Sequence, residues 1–199
     1  YKNKSKTLIW GDYDVDGVTS VCTLYLYLKS KGMDVEFYIP NRSGEGYGVS
    51  KSAIEQIKAN GTSLIITVDT GVTANEEIAY ANEIGVDFVV TDHHECGEVL
   101  PSAIAVINPK RKDTNYPFPS LAGVGVAFKL AQGVLEHYDK LNFCLEILPF
   151  VAVGTIADIV PLIGENRYYV LKGLDLIRGG KHYGLKRLLE TVGYNNIED

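Results

Sequence analysis

Residues 7 to 17 read TLIWGDYDVDG, a short apolar run followed by three aspartates at alternate positions and a glycine. The run TLIW predicts a buried strand, and the abrupt change to carboxylates marks the point where that strand ends. Taken alone, Asp12, Asp14 and Asp16 fit the first half of a calcium-binding loop, a polar turn that caps the next helix, or the rim of a catalytic metal site. The remaining sequence narrows these alternatives.

The alternation of apolar runs with helical patterns continues outward from this stretch. Strands are predicted at 7–10, 34–40, 63–68, 86–91 and 103–108, with helices at 18–32, 50–61 and 73–85, and then helices alone at 120–138, 141–160, 167–178 and 184–193. Because the strands are almost continuously apolar, they are typical of parallel strands that are buried on both faces. We therefore predict an α/β fold: a mostly parallel sheet of about five strands with helices on both faces, followed by a helical C-terminal segment.

The composition is that of an ordinary soluble globular protein, with 46% apolar and 22% charged residues among 199. No apolar run approaches the roughly 20 residues that span a bilayer, and the N-terminus lacks the apolar core of a signal peptide. Cys22, Cys96 and Cys144 are too widely spaced for a disulfide framework or a cysteine-based zinc site. We therefore predict a cytoplasmic protein without a membrane partner.

Polar side chains follow three of the predicted strands at the point where each strand ends. They are Asp12, Asp14 and Asp16 after the first strand, Asp69 after the third, and Asp92, His93 and His94 after the fourth. Because the carboxyl ends of parallel strands meet at one edge of a sheet, we expect these side chains to lie close together. Crowded carboxylates need a counter-charge, which a cation provides.

The calcium-loop alternative fails at the position where such a loop needs a bidentate glutamate. Counting from Asp12, that position is Thr23, and the segment before the loop is a predicted strand rather than a helix. Carboxylates mixed with imidazole suit Mn²⁺, Fe²⁺ or Zn²⁺ better than Ca²⁺. An open site of this kind points to a catalytic metal, either one ion or a pair.

The formal net charge of -6 would by itself disfavour a polyanionic partner. Several of the acids, however, are predicted to line one site, and two divalent cations there would bring the net charge close to neutral. Net charge therefore does not exclude a nucleic-acid partner.

Four motifs resemble those of the DHH phosphoesterase superfamily: GDYDVDG (11–17), VDTG (68–71), TDHHE (91–95) and GTIADIVPL (154–162). With IPNRSGEGYGVS (39–50) and LAGVGVAFKL (121–130), they most resemble the RecJ branch of bacterial single-strand-specific 5′→3′ exonucleases. The resemblance covers essentially the whole chain. It implies a DHH phosphoesterase domain at 1–165 and a helical connector at 166–199 that leads towards a second, DHHA1-type domain.

The resemblance also implies a role for each site residue. The implied metal ligands, for two Mn²⁺ or Mg²⁺ ions, are Asp14, Asp16, Asp69, His93 and Asp158. Asp69 would bridge the two ions, and spacing alone would not have placed Asp158 in the site. His94 would contact or protonate the scissile phosphate as a catalytic group. Asp12 and Asp92 would orient ligands or fix a histidine tautomer.

Three further residues are predicted to bind substrate phosphate. Arg42 follows the second strand and would pair with a phosphate, although a surface turn explains an arginine there equally well. Gly123 and Gly125 lie near the start of the predicted helix and would let backbone N–H groups approach a phosphate. Close helix packing is the alternative explanation for both glycines.

Trp10 distinguishes branches of the superfamily, because phosphatase and cyclic-dinucleotide branches usually carry His at this position, four residues before Asp14. We therefore predict metal-dependent 5′→3′ digestion of single-stranded DNA in repair or recombination, by a monomer that works with a single-strand-binding protein or a helicase. The alternatives are a phosphodiesterase acting on short oligonucleotides or cyclic dinucleotides, a pyrophosphatase, and a non-catalytic replication scaffold. The presence of all five implied ligands argues against the scaffold.

Overall fold

The computed structural model describes residues 6–42, 48–134, 140–180 and 182–194. In chain order the elements are β1 (Lys6–Trp10), α1 (Val15–Ser30), β2 (Val35–Tyr38), α2 (Lys51–Ala59), β3 (Thr62–Val68), α3 (Asn75–Glu83), β4 (Asp87–Thr91), β5 (Ala105–Ile107), α4 (Gly123–Val134), α5 (Lys140–Ala157), α6 (Gly164–Arg178) and α7 (Tyr183–Thr191). The middle of the segment 39–50 and the end of the helix predicted at 120–138 lie outside the described residues.

The five strands form one sheet in the order β2-β1-β3-β4-β5, and every neighbouring pair is parallel. The predicted sheet is therefore confirmed. The chain order reverses between β1 and β3, and open parallel sheets bind ligands beyond the carboxyl ends of the strands at such a point. The segments that follow β1 and β3 carry the aspartates on which the predicted site depends.

Helices cover both faces of the sheet, as predicted. On one face α2 and α3 pack on the sheet through residues such as Ile54 and Ile78, together with Trp10 of β1. On the opposite face α1 and α4 pack around Ile9, because successive residues of a strand point to opposite sides. Among the described helices, none is long and apolar enough to cross a membrane.

Helix α1 begins earlier than predicted, at Val15 rather than at residue 18. Asp14 has an extended backbone and acts as the N-cap, since its Oδ1 accepts a hydrogen bond from the Gly17 N–H at 2.8 Å. Gly17 is needed for close approach, because a Cβ there would lie 2.5 Å from the carbonyl oxygen of Asp12. The helix-capping interpretation of this loop and the metal-site interpretation are therefore compatible, because Asp14 caps α1 and is also a candidate metal ligand.

The C-terminal helices differ in how firmly they join the core. α6 packs tightly on α5, because a Cβ at Gly173 would meet the Leu148 carbonyl oxygen at 2.5 Å. The domain boundary predicted at residue 165 therefore falls inside the first turn of a packed helix. α7 contains no buried residue. The connector role assigned to 166–199 stays a prediction.

Candidate metal centre

The loop after β1 places three carboxylates at the edge of the sheet. Asp12 is buried, and its Oδ1 accepts a hydrogen bond from the Tyr13 N–H at 2.7 Å. Asp16 is also buried, in the first turn of α1. Its two oxygens accept the N–H groups of Gly123 at 2.6 Å and Val124 at 2.9 Å, at the start of α4. The positive end of the α4 dipole thus holds Asp16 in place.

Asp69 follows β3 directly and is almost fully buried. Its φ of 60° is uncommon for a residue other than glycine. Gly123 makes room for it, because a Cβ at Gly123 would lie 2.4 Å from Asp69 Oδ1. The Gly123 N–H already has a partner in Asp16, and a Cβ at Gly125 would lie 3.2 Å from Leu121 Cδ2. Close packing accounts for both glycines, and their contact with phosphate stays a prediction.

Asp92 organises the two histidines that follow β4. Its Oδ1 accepts the N–H groups of His93 at 2.7 Å and His94 at 3.1 Å, and it lies 2.7 Å from His94 Nδ1. Its Oδ2 accepts the Val72 N–H at 2.9 Å. Burial raises the pKa of Asp92, but these hydrogen bonds outweigh burial and lower it. This geometry suits the predicted role of Asp92, which is to orient the neighbouring histidines.

Asp158 reaches the site from the end of α5. Its backbone N–H donates to the Gly154 carbonyl at 2.9 Å, and its Oδ2 lies 3.7 Å from His93 Nδ1. α5 can approach α1 closely because residue 154 is a glycine: a Cβ there would lie 2.2 Å from Thr19 Oγ1. Helix packing therefore brings Asp158 to the strand-end residues.

Three groups of side chains are close enough to hold a cation, with ligand atoms within 4.8 Å of one another in each group. They are Asp16, His93 and Asp158; Asp12, Asp14 and Asp69; and Asp69, His93 and His94. All five predicted ligands are therefore brought together. Asp12, which was predicted to support ligands, lies among the possible ligands themselves.

The unsatisfied atoms of this cluster fit a cation. Asp69 Oδ1 and His93 Nε2 lie 3.1 Å apart, yet neither takes part in a well-formed hydrogen bond within the described residues. The buried Oδ2 of Asp158 also has no hydrogen-bond partner there. Because a buried polar atom without a partner is unfavourable, these three atoms, on His93 and on two carboxylates beside it, fit the ligand set of a cation.

The electrostatics of the cluster lead to the same conclusion. Burial and then the nearby charge of Asp69 raise the pKa of Asp16 to about 8. Burial and then the charge of Asp14 raise the pKa of Asp69 to about 9. Burial also raises the pKa of Asp12. Asp16 and Asp69 would hold protons at neutral pH unless cations replaced those protons.

Trp10 takes no part in the cluster, although it directly precedes the aspartate loop. Its ring is fully buried in the core under α2 and α3 and lies 4.7 Å from the ring of Tyr38. Its indole Nε1 has no hydrogen-bond partner within the described residues. Trp10 is a core residue, and it contributes no ligand to the cation groups.

Arg42 lies at the edge of the site. Its guanidinium is 5.4 Å from the centre of the Tyr13 ring, and its charge acts to lower the pKa of Asp12. Because Tyr13 stands between Asp12 and Asp14, this contact holds Arg42 beside the carboxylates. Phosphate binding by Arg42 remains a prediction.

Sequence reasoning assigned no positioning role to two residues that the structure places beside the site. Asn108 is buried, and its Nδ2 donates to the His94 carbonyl at 2.9 Å, which fixes the loop after β4. Tyr13 lies beneath Arg42. In the sequence, Asn108 is marked only by its position next to a strand end, and Tyr13 only by its position between two aspartates.

The model of the DHH family, N-terminal domain, matches residues 6–155. The chain belongs to the DHH family. A curated relative of this DHH chain is the single-stranded-DNA-specific exonuclease RecJ of Bacillus subtilis (strain 168), 47% identical over 190 residues. The match covers 96% of this chain and 24% of the relative.

Two solved structures resemble the DHH chain. One is exonuclease RecJ bound to manganese, with a TM-score of 0.85, 36% identity, and coverage of 98% of this chain and 49% of that chain. The other is RecJ from Thermus thermophilus in complex with Mg²⁺, with a TM-score of 0.65, 30% identity, and coverage of 98% and 24%. The DHH chain thus spans less than half the length of each of these proteins.

Proposed function

We propose that this DHH chain is the cation-binding catalytic part of a nuclease that hydrolyses single-stranded DNA from the 5′ end. The observation that carries the proposal is the convergence of ligand atoms from separate segments on Asp69 and His93. The name of the Bacillus subtilis relative, a single-stranded-DNA-specific exonuclease, supports the choice of substrate.

The cluster suits two small divalent cations, Mn²⁺ or Mg²⁺. We assign one ion to Asp16, His93 and Asp158 and the other to Asp12, Asp14 and Asp69, with Asp69 close to both. Oxygen ligands with a single imidazole are typical of sites for such ions. The two solved RecJ structures, one bound to manganese and the other in complex with Mg²⁺, support the same ions.

When bound, such ions would lower the pKa of a water molecule and neutralise charge on a phosphate. The chain itself supplies orientation and a proton. The hydrogen bond to Asp92 raises the pKa of His94 to about 9, which favours the protonated imidazole. We assign His94 the contact with the scissile phosphate, and Arg42 the contact with a neighbouring phosphate.

We further propose a setting for this reaction. The protein would act in the cytoplasm as a monomer, in DNA repair or recombination, with a single-strand-binding protein or a helicase delivering single strands.

Digestion of end-labelled single-stranded DNA with Mn²⁺ tests the proposal, with cyclic dinucleotide and pyrophosphate as parallel substrates. We expect mononucleotides from the 5′ end and no product after chelation of the metal. Hydrolysis of pyrophosphate or cyclic dinucleotide alone would overturn the assignment.

The role of Asp12 is tested by the number of ions bound. If Asp12 is a ligand of the second ion, Asp12→Asn lowers the Mn²⁺ stoichiometry, measured by calorimetry, from about two to about one. If Asp12 only supports ligands, both ions still bind, with affinity weakened roughly 10–100-fold. Asp87→Asn, at an exposed position at the start of β4, is the matched control.

A further inference from the structure

Ile159 has a backbone conformation that its side chain disfavours. It follows Asp158 at the end of α5, and its φ is 59°. Among the described residues, eight glycines share this left-handed region, and the only other members are Asp69 and Ile159. A β-branched residue there is a genuine outlier, because its branched Cβ crowds the backbone.

The chain reversal explains the conformation but not the isoleucine. The Asp158 N–H donates to the Gly154 carbonyl and the Ile159 N–H to the Ile156 carbonyl, and the chain then turns so that Val160 packs on the core around α4 and α5. Helices often end with a left-handed residue of this kind, which is usually glycine. Glycine would make the same turn without strain.

Packing within the chain does not explain the side chain either. Ile159 is 88% exposed, so it buries almost no apolar surface in this structure. Strained residues persist where function requires them, and the other non-glycine residue in this region, Asp69, belongs to the cation cluster. The isoleucine therefore points to a contact made outside the described chain.

The surroundings of Ile159 indicate what that contact is. Ile159 directly follows the candidate ligand Asp158, and Val15, which is 47% exposed, directly follows the candidate ligand Asp14. Exposed apolar side chains thus stand next to members of both cation groups. A protein surface seated on these two side chains would also cover the adjacent carboxylates. A nucleotide matches both the cation groups and the exposed apolar side chains, because its phosphate binds cations and its base has an apolar face.

We propose that Ile159 provides an apolar contact for the base of the nucleotide that is being hydrolysed. This inference rests on the proposed nuclease function and adds a specificity-determining residue to it. The left-handed backbone directs the side chain out of the domain, and the neighbouring Asp158 fixes its position relative to the phosphate.

The test compares Ile159→Gly with the unchanged protein on two single-stranded oligonucleotides. One is ordinary DNA, and the other carries abasic tetrahydrofuran units in its first two 5′ positions. We expect Ile159→Gly to lower kcat/KM on ordinary DNA roughly 10-fold, as loss of an apolar contact does, and to have no effect on the abasic substrate. The Tm of the variant should rise, since glycine relieves the strain.

Val99→Ala is the matched control, because Val99 is 71% exposed and lies outside the cation groups. It should change neither reaction. An unchanged kcat/KM for Ile159→Gly on ordinary DNA, or an equal loss on both substrates, would overturn the inference. The equal loss would point instead to a contact with another protein segment.

A binding measurement separates this inference from the proposed function. Fluorescence anisotropy with Ca²⁺ in place of Mn²⁺ reports the affinity for the two oligonucleotides without hydrolysis. If the unchanged protein hydrolyses neither oligonucleotide, the proposed function fails, but weaker binding of ordinary DNA by Ile159→Gly would still support the contact with the base. Equal binding by both proteins would refute it.

Discussion

The carboxylate of Asp69 lies within reach of both candidate cation sites. It belongs to two of the three ligand groups, and its Oδ1 is a buried acceptor without a hydrogen-bond partner in the described residues. Burial and the charge of Asp14 raise its pKa, so the ionised form is unfavourable when no cation is bound. Metal binding and the stability of the metal-free fold therefore place opposite demands on this residue.

Asp69→Asn should stabilise the metal-free protein and weaken metal binding. Asparagine tolerates the left-handed backbone and carries no charge, so the Tm of the metal-free protein should rise. Nuclease activity with Mn²⁺ should fall by more than the roughly 10–100-fold that follows loss of a supporting residue. Calorimetric Tm with and without Mn²⁺, together with digestion of labelled DNA, checks both effects. Near-full activity of the variant would show that Asp69 is not an essential metal ligand.

At the scale of the elements, the junction of α1 with α5 carries Asp158 to the site. A Cβ at Gly154 would lie 2.9 Å from Val124 Cγ1 and 3.0 Å from Asp16 Oδ1, besides its clash with Thr19. Three elements meet at this point, so the neighbours have little room to move. A side chain on Gly154 would disturb the fold and the cation cluster together.

Gly154→Ala should destabilise the protein by about 1–3 kcal/mol, the usual range for overpacking. It should also weaken Mn²⁺ binding, because it displaces Asp16 and Asp158 relative to each other. Denaturant unfolding and calorimetric titration measure the two effects. Gly133→Ala is the control, since nothing lies within 4 Å of a Cβ there and alanine favours the helix. Equal stability of the two variants would contradict the packing argument.

A second junction ties α6 to the core through Glu165. Its carboxylate lies 2.7 Å from Lys129 Nζ and accepts hydrogen bonds from Tyr116 at 2.9 Å and Tyr169 at 2.8 Å. Burial raises the pKa of Glu165, but these three donors outweigh burial and lower it. A carboxyl whose pKa is lowered on folding adds stability above its unfolded pKa and loses that stability as the pH falls through its folded pKa.

Glu165→Gln should therefore lower stability at neutral pH by about 1 kcal/mol, or roughly 2–4 °C in Tm for a domain of this size. The difference from the unchanged protein should shrink as the pH falls below the range in which free glutamate titrates. Thermal unfolding across that range measures it. A difference that stays constant with pH would show that the charge of Glu165 is not responsible.

At the scale of the whole molecule, the formal charge of -6 is concentrated in part at one edge of the sheet. Cations that bind there stabilise the folded state alone, because the ligands come from segments far apart in the chain. Mn²⁺ at 100 times its Kd should therefore add about 2.7 kcal/mol, which corresponds to a rise in Tm of roughly 5–11 °C. A thermal scan with and without Mn²⁺ measures this rise, and chelation should reverse it. An unchanged Tm would argue against the cation site.

Several features were predictable because they depend on local pattern. The apolar runs predicted the parallel sheet, since buried strands need apolar residues on both faces. The polar residues at strand ends predicted the edge at which the cluster lies, since parallel strands end together. The start of α1 was predicted three residues late, because all three aspartates fit an N-cap by residue type and only the hydrogen bond from the Gly17 N–H identifies Asp14 as the cap.

The sequence by itself determined the fold class, the family resemblance and the strand-end members of the cluster, because periodicity and strand order act through nearby residues. Only the tertiary structure decided that Asp158 reaches His93, that Asp12 lies among the possible ligands, and that the glycines at 123 and 154 make room for them. It also revealed the strain at Ile159. These facts depend on how distant helices meet across the edge of the sheet, and spacing along one chain carries no measure of that distance.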